Sequence, residues 1–357
     1  MTSVKPLAKR IGAVVLPELP NDLGVVWRPL QPADSVRLFD LIVAAEVADQ
    51  APYRTSLEEV EEFFDGEWKD FDTDSLVGID QSGQFVVYGL IEMPPGDTTT
   101  IRAYLSGAVH PDSRGVGLGT AAVNWLKAVA AFRLSRLETT ANGRIAAVLE
   151  NNAPGHGELF AAAGFTPRRF YHSLRRAIVG PAAGPLPQID LGDGLELRPF
   201  STGLDEPVRL AHNDSFRDHW GSEPKTAQDW AQGRSPFMPE WSFVVVDTAA
   251  SAELATELGC ADGPVVAGYI MVSKYEQDWV VSGYSSGYID TLGVRRHYRG
   301  RGIASKLLVT VMTKLGEQGI EAVELDVDSA NPSGAFGMYT NLGFEITNGS
   351  TMYSIEY

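Results

Sequence analysis

Val109-His110-Pro111-Asp112-Ser113-Arg114-Gly115-Val116-Gly117-Leu118-Gly119 has a counterpart later in the chain. That counterpart is Val294-Arg295-Arg296-His297-Tyr298-Arg299-Gly300-Arg301-Gly302-Ile303-Ala304. Each copy follows a short apolar, strand-like run and opens a long apolar-periodic helix, AAVNWLKAVAAF in the first and SKLLVTVMTKL in the second. A glycine-rich turn between a strand and a helix aims several backbone N–H groups at one spot, beside the positive end of the helix dipole. Such a spot suits a phosphate or pyrophosphate. Two copies in matching contexts point to a duplicated cofactor-binding unit.

The repetition extends outward from the turns. Strand-like runs ending in Arg28-Pro29 and Arg198-Pro199 stand near the start of each half, followed by helical stretches SVRLFDLIVAAEVADQ and EPVRLAHNDSF. Strand candidates SLVGID and FVVYGLIEM in the first half correspond to SFVVVD and VVAGYIMV in the second, with the β-branched enrichment that strands favour. Both halves close alike. Asn152, Phe160 and Gly164-Phe165 align with Asn331, Tyr339 and Gly343-Phe344 at one offset. The expected domains are therefore 21–177 and 195–357. A Pro- and Gly-rich linker would span 178–194, and residues 1–20 would form an extended or poorly ordered arm. Residues 248–263 read as a partly helical insertion between two strands.

A length of 357 residues fits two domains, and a hydrophobic share of 44% with 21% charged residues is ordinary for a globular protein. A net charge of −17 argues against a general nucleic-acid binder, which needs a basic face, and is compatible with cationic small substrates. No run is long enough for a membrane span, and the prolines of the N-terminal stretch argue against a signal peptide. The single cysteine, Cys260, excludes an internal disulfide and a cysteine-based zinc site. No metal is expected, and the expected compartment is cytoplasmic.

The order Val-x-x-x-x-Arg-Gly-x-Gly-x-Gly/Ala, a helix, a strand, an Asn-Pro turn and a Tyr before Leu-Gly-Phe resembles the GCN5-related N-acetyltransferase (GNAT) superfamily. The resemblance covers both halves, as in a tandem member. It implies an α/β (α+β) fold of two domains, each a mixed, mostly antiparallel sheet flanked by helices. In each, two central parallel strands splay into a V-shaped cleft for acetyl-CoA. The implied cofactor-binding residues are Arg299, Gly300, Arg301, Gly302 and Ala304 in the second turn and Arg114, Gly115, Gly117 and Gly119 in the first. Arg295 and Arg296 are expected to add positive charge around the pyrophosphate. Backbone N–H groups near Leu292 to Val294 would bind the acetyl carbonyl, and Asn331 would tie its turn or touch the pantetheine arm.

Acetyl transfer to an amine needs a neutral nucleophile, a proton acceptor, a stabilised oxyanion and a protonated leaving thiolate. By resemblance Tyr339 is the acid beside the CoA sulfur, and Tyr288 and Asp290 hold the strand positions that receive the amine proton. Asp290 is the preferred base or water-holder. Simple alternation puts Tyr288, Asp290 and Leu292 on one face. Direct attack needs no acyl-enzyme, so Cys260 reads as an ordinary insertion residue. His219 and Trp220 would line the acceptor pocket or simply pack at a helix end. In the first half Phe160, Leu105 and Ala103 occupy the corresponding positions and cannot move protons, which makes that domain a catalytically silent copy. The expected activity is acetylation of a small-molecule primary amine in the second domain, by a monomer or homodimer. Candidate acceptors include thiol-precursor amines, amino sugars, amino-acid derivatives and antibiotics. The rival class is a non-catalytic acetyl-CoA sensor or scaffold.

Overall fold

A computed structural model describes residues 5–153, 155–261, 263–330 and 334–357. The first strands in chain order are β1 (Val26–Arg28), β2 (Ser75–Ile79), β3 (Phe85–Glu92), β4 (Thr100–Val109), β5 (Asn142–Glu150) and β6 (Thr166–Ala177). They are followed by β7 (Leu195–Pro199), β8 (Phe243–Asp247), β9 (Val265–Ser273), β10 (Ser286–Val294), β11 (Ala322–Asp328) and β12 (Glu345–Glu356). The chain divides into two units. One is Met1–Phe170 with Ser350–Tyr357, and the other is Tyr171–Gly349.

In the first unit β1 to β4 pair antiparallel in sequence order, β4 pairs parallel with β5, and β5 pairs antiparallel with the end of β12. The second unit repeats the pattern with β7 to β10, then parallel β11, then antiparallel β6. Both sheets are thus mixed and mostly antiparallel, and helices cover both faces. The helix Leu118–Ser135 packs with Leu76, Val87 and Ile145 on one face of the first sheet, and the helix Ser35–Ala48 packs with Val77 and Tyr88 on the other. In the second unit the equivalent helices are Ile303–Glu317 and Asp205–Ser215. Leu307, Leu308, Val311 and Leu315 recur at helical spacing and are fully buried. Each contributes about 1.5–3 kcal/mol by leaving water.

Parallel pairing between β10 and β11 runs only from Ser286↔Ala322 to Tyr288↔Glu324. Between β4 and β5 it runs from Thr100↔Asn142 to Tyr104↔Ala146. Past those points the central strands part, which is the splay expected from the sequence.

The unit boundaries differ from the expected ones. Residues Tyr171 to Ala177 pair with β11 and belong to the second unit, and Ser350–Glu356 pair with β5 and belong to the first. Residues 178–194 are not a loose tether, because Ile178, Leu186 and Leu191 pack on the second unit's core. The N-terminal arm, from residue 5 on, also departs from expectation. Leu7 starts a short helix, is fully buried, and donates its amide to Thr139 O at 2.8 Å. Arg10 follows it and bonds Tyr357 O at 2.9 Å.

Candidate active site

The second glycine turn presents unpaired backbone. Gly300 and Gly302 take positive φ (77° and 74°), conformations that only glycine adopts freely. Gly302 caps the helix Ile303–Glu317, and no acceptor among the described residues takes the amides of Gly300, Arg301 or Gly302. Free N–H groups at the start of a long helix fit an anionic phosphate group.

The arginines around this turn do different jobs. Arg299 and Arg301 are exposed; Arg299 donates to Ser215 O at 2.7 Å, and Arg301 lies over the Tyr298 ring. Arg296 pairs with Asp218. Arg295 corrects the sequence reading, because it is 1% exposed and points inward. It donates to Val266 O at 2.9 Å, Leu258 O at 3.2 Å and Cys260 Sγ at 3.2 Å. Replacing Arg295 by Leu should strip those carbonyls of a donor and cost about 1–3 kcal/mol of stability. A thermal melt would register the loss while KM for acetyl-CoA stays unchanged. A raised KM at unchanged melting temperature would put Arg295 back at the phosphate.

The strand before the turn carries a bulge. Its register with β9 shifts between Ile289 and Thr291, leaving Asp290 at the irregularity. Alternation therefore breaks there. Ile289, Leu292 and Val294 all pack toward the core of the helix Ile303–Glu317, so Leu292 does not share a face with Tyr288 and Asp290 as simple alternation required. Backbone direction follows from the ladder. The Arg295 amide bonds Ala267 O on β9, so the amides of Leu292 and Val294 point away from β9, to the edge where pairing with β11 has ended.

Asp290 accepts from Ser273 Oγ at 2.5 Å, with Tyr275 OH at 3.5 Å. Crowding by surrounding protein pushes its carboxyl up to about 6, and the Ser273 and Tyr275 bonds and the Arg234 charge only partly offset this. Its surface remains exposed to water. Tyr288 stands edge-on to Tyr275, with ring centroids 5.8 Å apart. Burial, followed by the charges of Asp326 and Asp290, holds its phenol far above the ordinary range, so Tyr288 stays neutral. Ser273 and Tyr275 escaped the sequence reading because antiparallel pairing of β9 with β10 brings them in, and no motif marks them.

Tyr339 lies on the helix Ala335–Asn341, edge-on to Phe344, and burial pushes its phenol up to about 12. Its hydroxyl bonds no group among the described residues. Asn331 lies outside the described residues. His219 packs edge-on to Phe216, with Nδ1 3.2 Å from Trp220 O, a local helix-end arrangement. Cys260 is buried, and burial pushes its thiol up, which disfavours a nucleophilic thiolate.

In the first unit Gly115 and Gly117 take positive φ (78° and 98°), and Gly117 caps the helix Leu118–Ser135. Its β4 pairs with β3 in unbroken register from Tyr104 to Val109, without a bulge. Arg114 is committed elsewhere, with Nη1 and Nη2 on the two Asp49 carboxylate oxygens at 2.6 and 2.9 Å. A cavity of about 860 Å³ opens here, lined by the glycine turn, Leu105, Phe160 and Glu46.

Among the described residues, no group of three or more His, Cys, Asp or Glu is placed to hold a metal ion. No helix among them is long and apolar enough to cross a membrane.

The two units share one sheet order, each parting ahead of a glycine turn, and the comparisons with known proteins support an acyltransferase of tandem GNAT architecture. The Acetyltransferase (GNAT) family model matches residues 209–344, within the second unit. A mycothiol acetyltransferase of Thermobispora bispora is 28% identical over 265 residues, 69% of this chain and 73% of the relative. A GCN5-related N-acetyltransferase from Sphaerobacter thermophilus matches with a TM-score of 0.65 at 23% identity, covering 95% of this chain and 97% of that one. A tandem GNAT protein from the clavulanic acid biosynthesis pathway matches at 0.61 and 17% identity, covering 93% and 98%. The last two likenesses show the fold.

Proposed function

We propose that the second unit transfers acetyl from acetyl-CoA to the primary amine of a small molecule by direct attack on the thioester. The observation that carries this is Asp290. It sits at a bulge where two central strands part, with a carboxyl near 6, on the strand that leads into an open glycine turn. The first unit has an unbroken strand and Leu105 in the same place.

The turn Arg299 to Ala304 receives the pyrophosphate of acetyl-CoA, with Gly300 and Gly302 letting the backbone approach. The Leu292 and Val294 amides, aimed at the open edge, meet the acetyl-pantetheine end and stabilise the oxyanion. Asp290 accepts the proton of the attacking amine, directly or through one water, and Ser273 fixes its carboxylate. Tyr288, neutral at working pH, orients that water. As the tetrahedral intermediate collapses, the C–S bond breaks and Tyr339 protonates the departing thiolate. A phenol held near 12 keeps its proton until that moment.

A narrower reading makes the acceptor the amine of a thiol precursor. The name of the relative, mycothiol acetyltransferase, supports it. The test is free-thiol release from acetyl-CoA across a panel of small amines that includes such a precursor. Tyr339→Phe should slow turnover ~10-fold or more, as removal of an acid catalyst does. Tight acetyl-CoA binding without turnover on any amine would favour a sensor instead.

A further inference from the structure

The first unit's cavity has no role in that chemistry, yet it is a built space. Its walls are largely aliphatic and aromatic, including Ile42, Val87, Leu105, Leu126 and Phe160. Into this lining the helix Ser35–Ala48 places a carboxylate, Glu46, which is 7% exposed. Glu46 is fixed rather than mobile. Its Oε1 accepts from Thr55 Oγ1 at 2.5 Å, and both oxygens lie near the Thr55 amide, at 3.2 and 3.1 Å. These donors are neutral, and a carboxylate has about four acceptor positions, so Oε2 keeps capacity for a further donor.

A carboxylate in apolar surroundings is costly to keep charged unless a cation joins it. Burial accordingly raises the Glu46 carboxyl, against smaller opposing effects of Thr55 and Arg54. The charge at the far end of the cavity also differs from that at the second unit's turn. Arg114, the cation of the glycine turn, is bound bidentately by Asp49, one helical turn beyond Glu46. His156 Nε2 lies 3.8 Å from the same carboxylate. In the second unit the matching Arg299 donates to a neutral carbonyl and keeps its charge available.

We propose that this cavity is a second ligand site, taking an organic cation: an apolar primary amine whose ammonium pairs with Glu46 and whose hydrocarbon fills the aliphatic walls. The ligand is bound there and not acetylated. Phe160 and Leu105 offer no proton transfer, and the adjoining turn carries a neutralised arginine. This site is independent of the proposed acetyl transfer in the second unit.

Isothermal titration of the full chain with n-hexylammonium and with neutral hexan-1-ol tests it. The ammonium should bind at least tenfold more tightly than the alcohol, since only the former gains a charge-assisted bond. Glu46→Gln should erase that preference, and Leu105→Trp, which fills the cavity, should weaken both ligands. Asp290→Asn should leave hexylammonium binding intact, which separates this site from an acceptor pocket in the second unit. Equal affinity for ammonium and alcohol in the wild-type chain would overturn the proposal. So would unchanged ammonium binding in a folded Glu46→Gln, or its loss in Asp290→Asn alone.

Discussion

Asp290→Asn should lower kcat/KM for acetyl transfer ~10²-fold or more, within the range that a positioned general base contributes. The Asn side chain keeps the shape and can still meet Ser273, but it cannot accept the amine proton. In the wild-type chain kcat/KM should fall as the pH drops through about 6, because the free enzyme must hold Asp290 deprotonated. The Asn variant should lose that limb. Stability supplies an independent check. The folded-state carboxyl sits above its ordinary 3.8, so its ionisation opposes folding; the effect is absent below about 3.8 and complete above about 6. The variant should therefore melt no lower than the wild type at neutral pH. A lost rate with an unaltered melt separates chemistry from misfolding, whereas an unchanged rate and an unchanged acid limb would remove Asp290 from the mechanism.

Deleting Ser350–Tyr357 should unfold the first unit although it removes the far end of the chain. Residues Ser350 to Glu356 form a seven-residue antiparallel register with β5. Met352 and Ser354 are buried there, Glu356 holds Arg144 at 2.7 Å, and Tyr357 exchanges backbone bonds with Gly143. At about 0.5–1.5 kcal/mol net per hydrogen bond, with side-chain burial added, the loss rivals the ~5–15 kcal/mol that holds a domain folded. A fragment of residues 195–357 should fail for the reciprocal reason. It lacks Tyr171 to Ala177, the neighbour of β11, and with it the fully buried Leu174. Circular-dichroism melts and soluble yield would measure both. A cooperative melt of residues 1–177 at the wild-type temperature would contradict this assignment of strands to units.

What could be read from the chain depended on how local its cause is. The glycine turns, the helices that follow them and the β-branched strands are written in contiguous residues, and each was found where expected. Asp290 and Tyr339 lie on the strand and the helix that the motif implied, and their proton-handling roles are a proposal. Features that arise from distant pairing were not legible. Arg295 resembles its exposed neighbours in sequence and is buried only because Val266, Leu258 and Cys260 converge on it. The bulge that turns Leu292 away from Asp290 exists only in register with β9. Glu46 reads as one acidic residue in an amphipathic helix, and only the cavity around it gives it meaning. The repeat likewise hid the exchange of closing strands, since a repeat shows equivalence of segments and not which unit each segment completes.

The most direct test is to compare free-thiol release from acetyl-CoA, with an accepted amine, in two matched variants of the full chain. Both change a carboxylate to its amide, Asp290→Asn in the second unit and Glu46→Gln in the first. The expected result is near-complete loss of turnover in Asp290→Asn and a wild-type rate in Glu46→Gln. Loss in Glu46→Gln with turnover retained in Asp290→Asn would place acetyl transfer in the first unit and contradict the assignment.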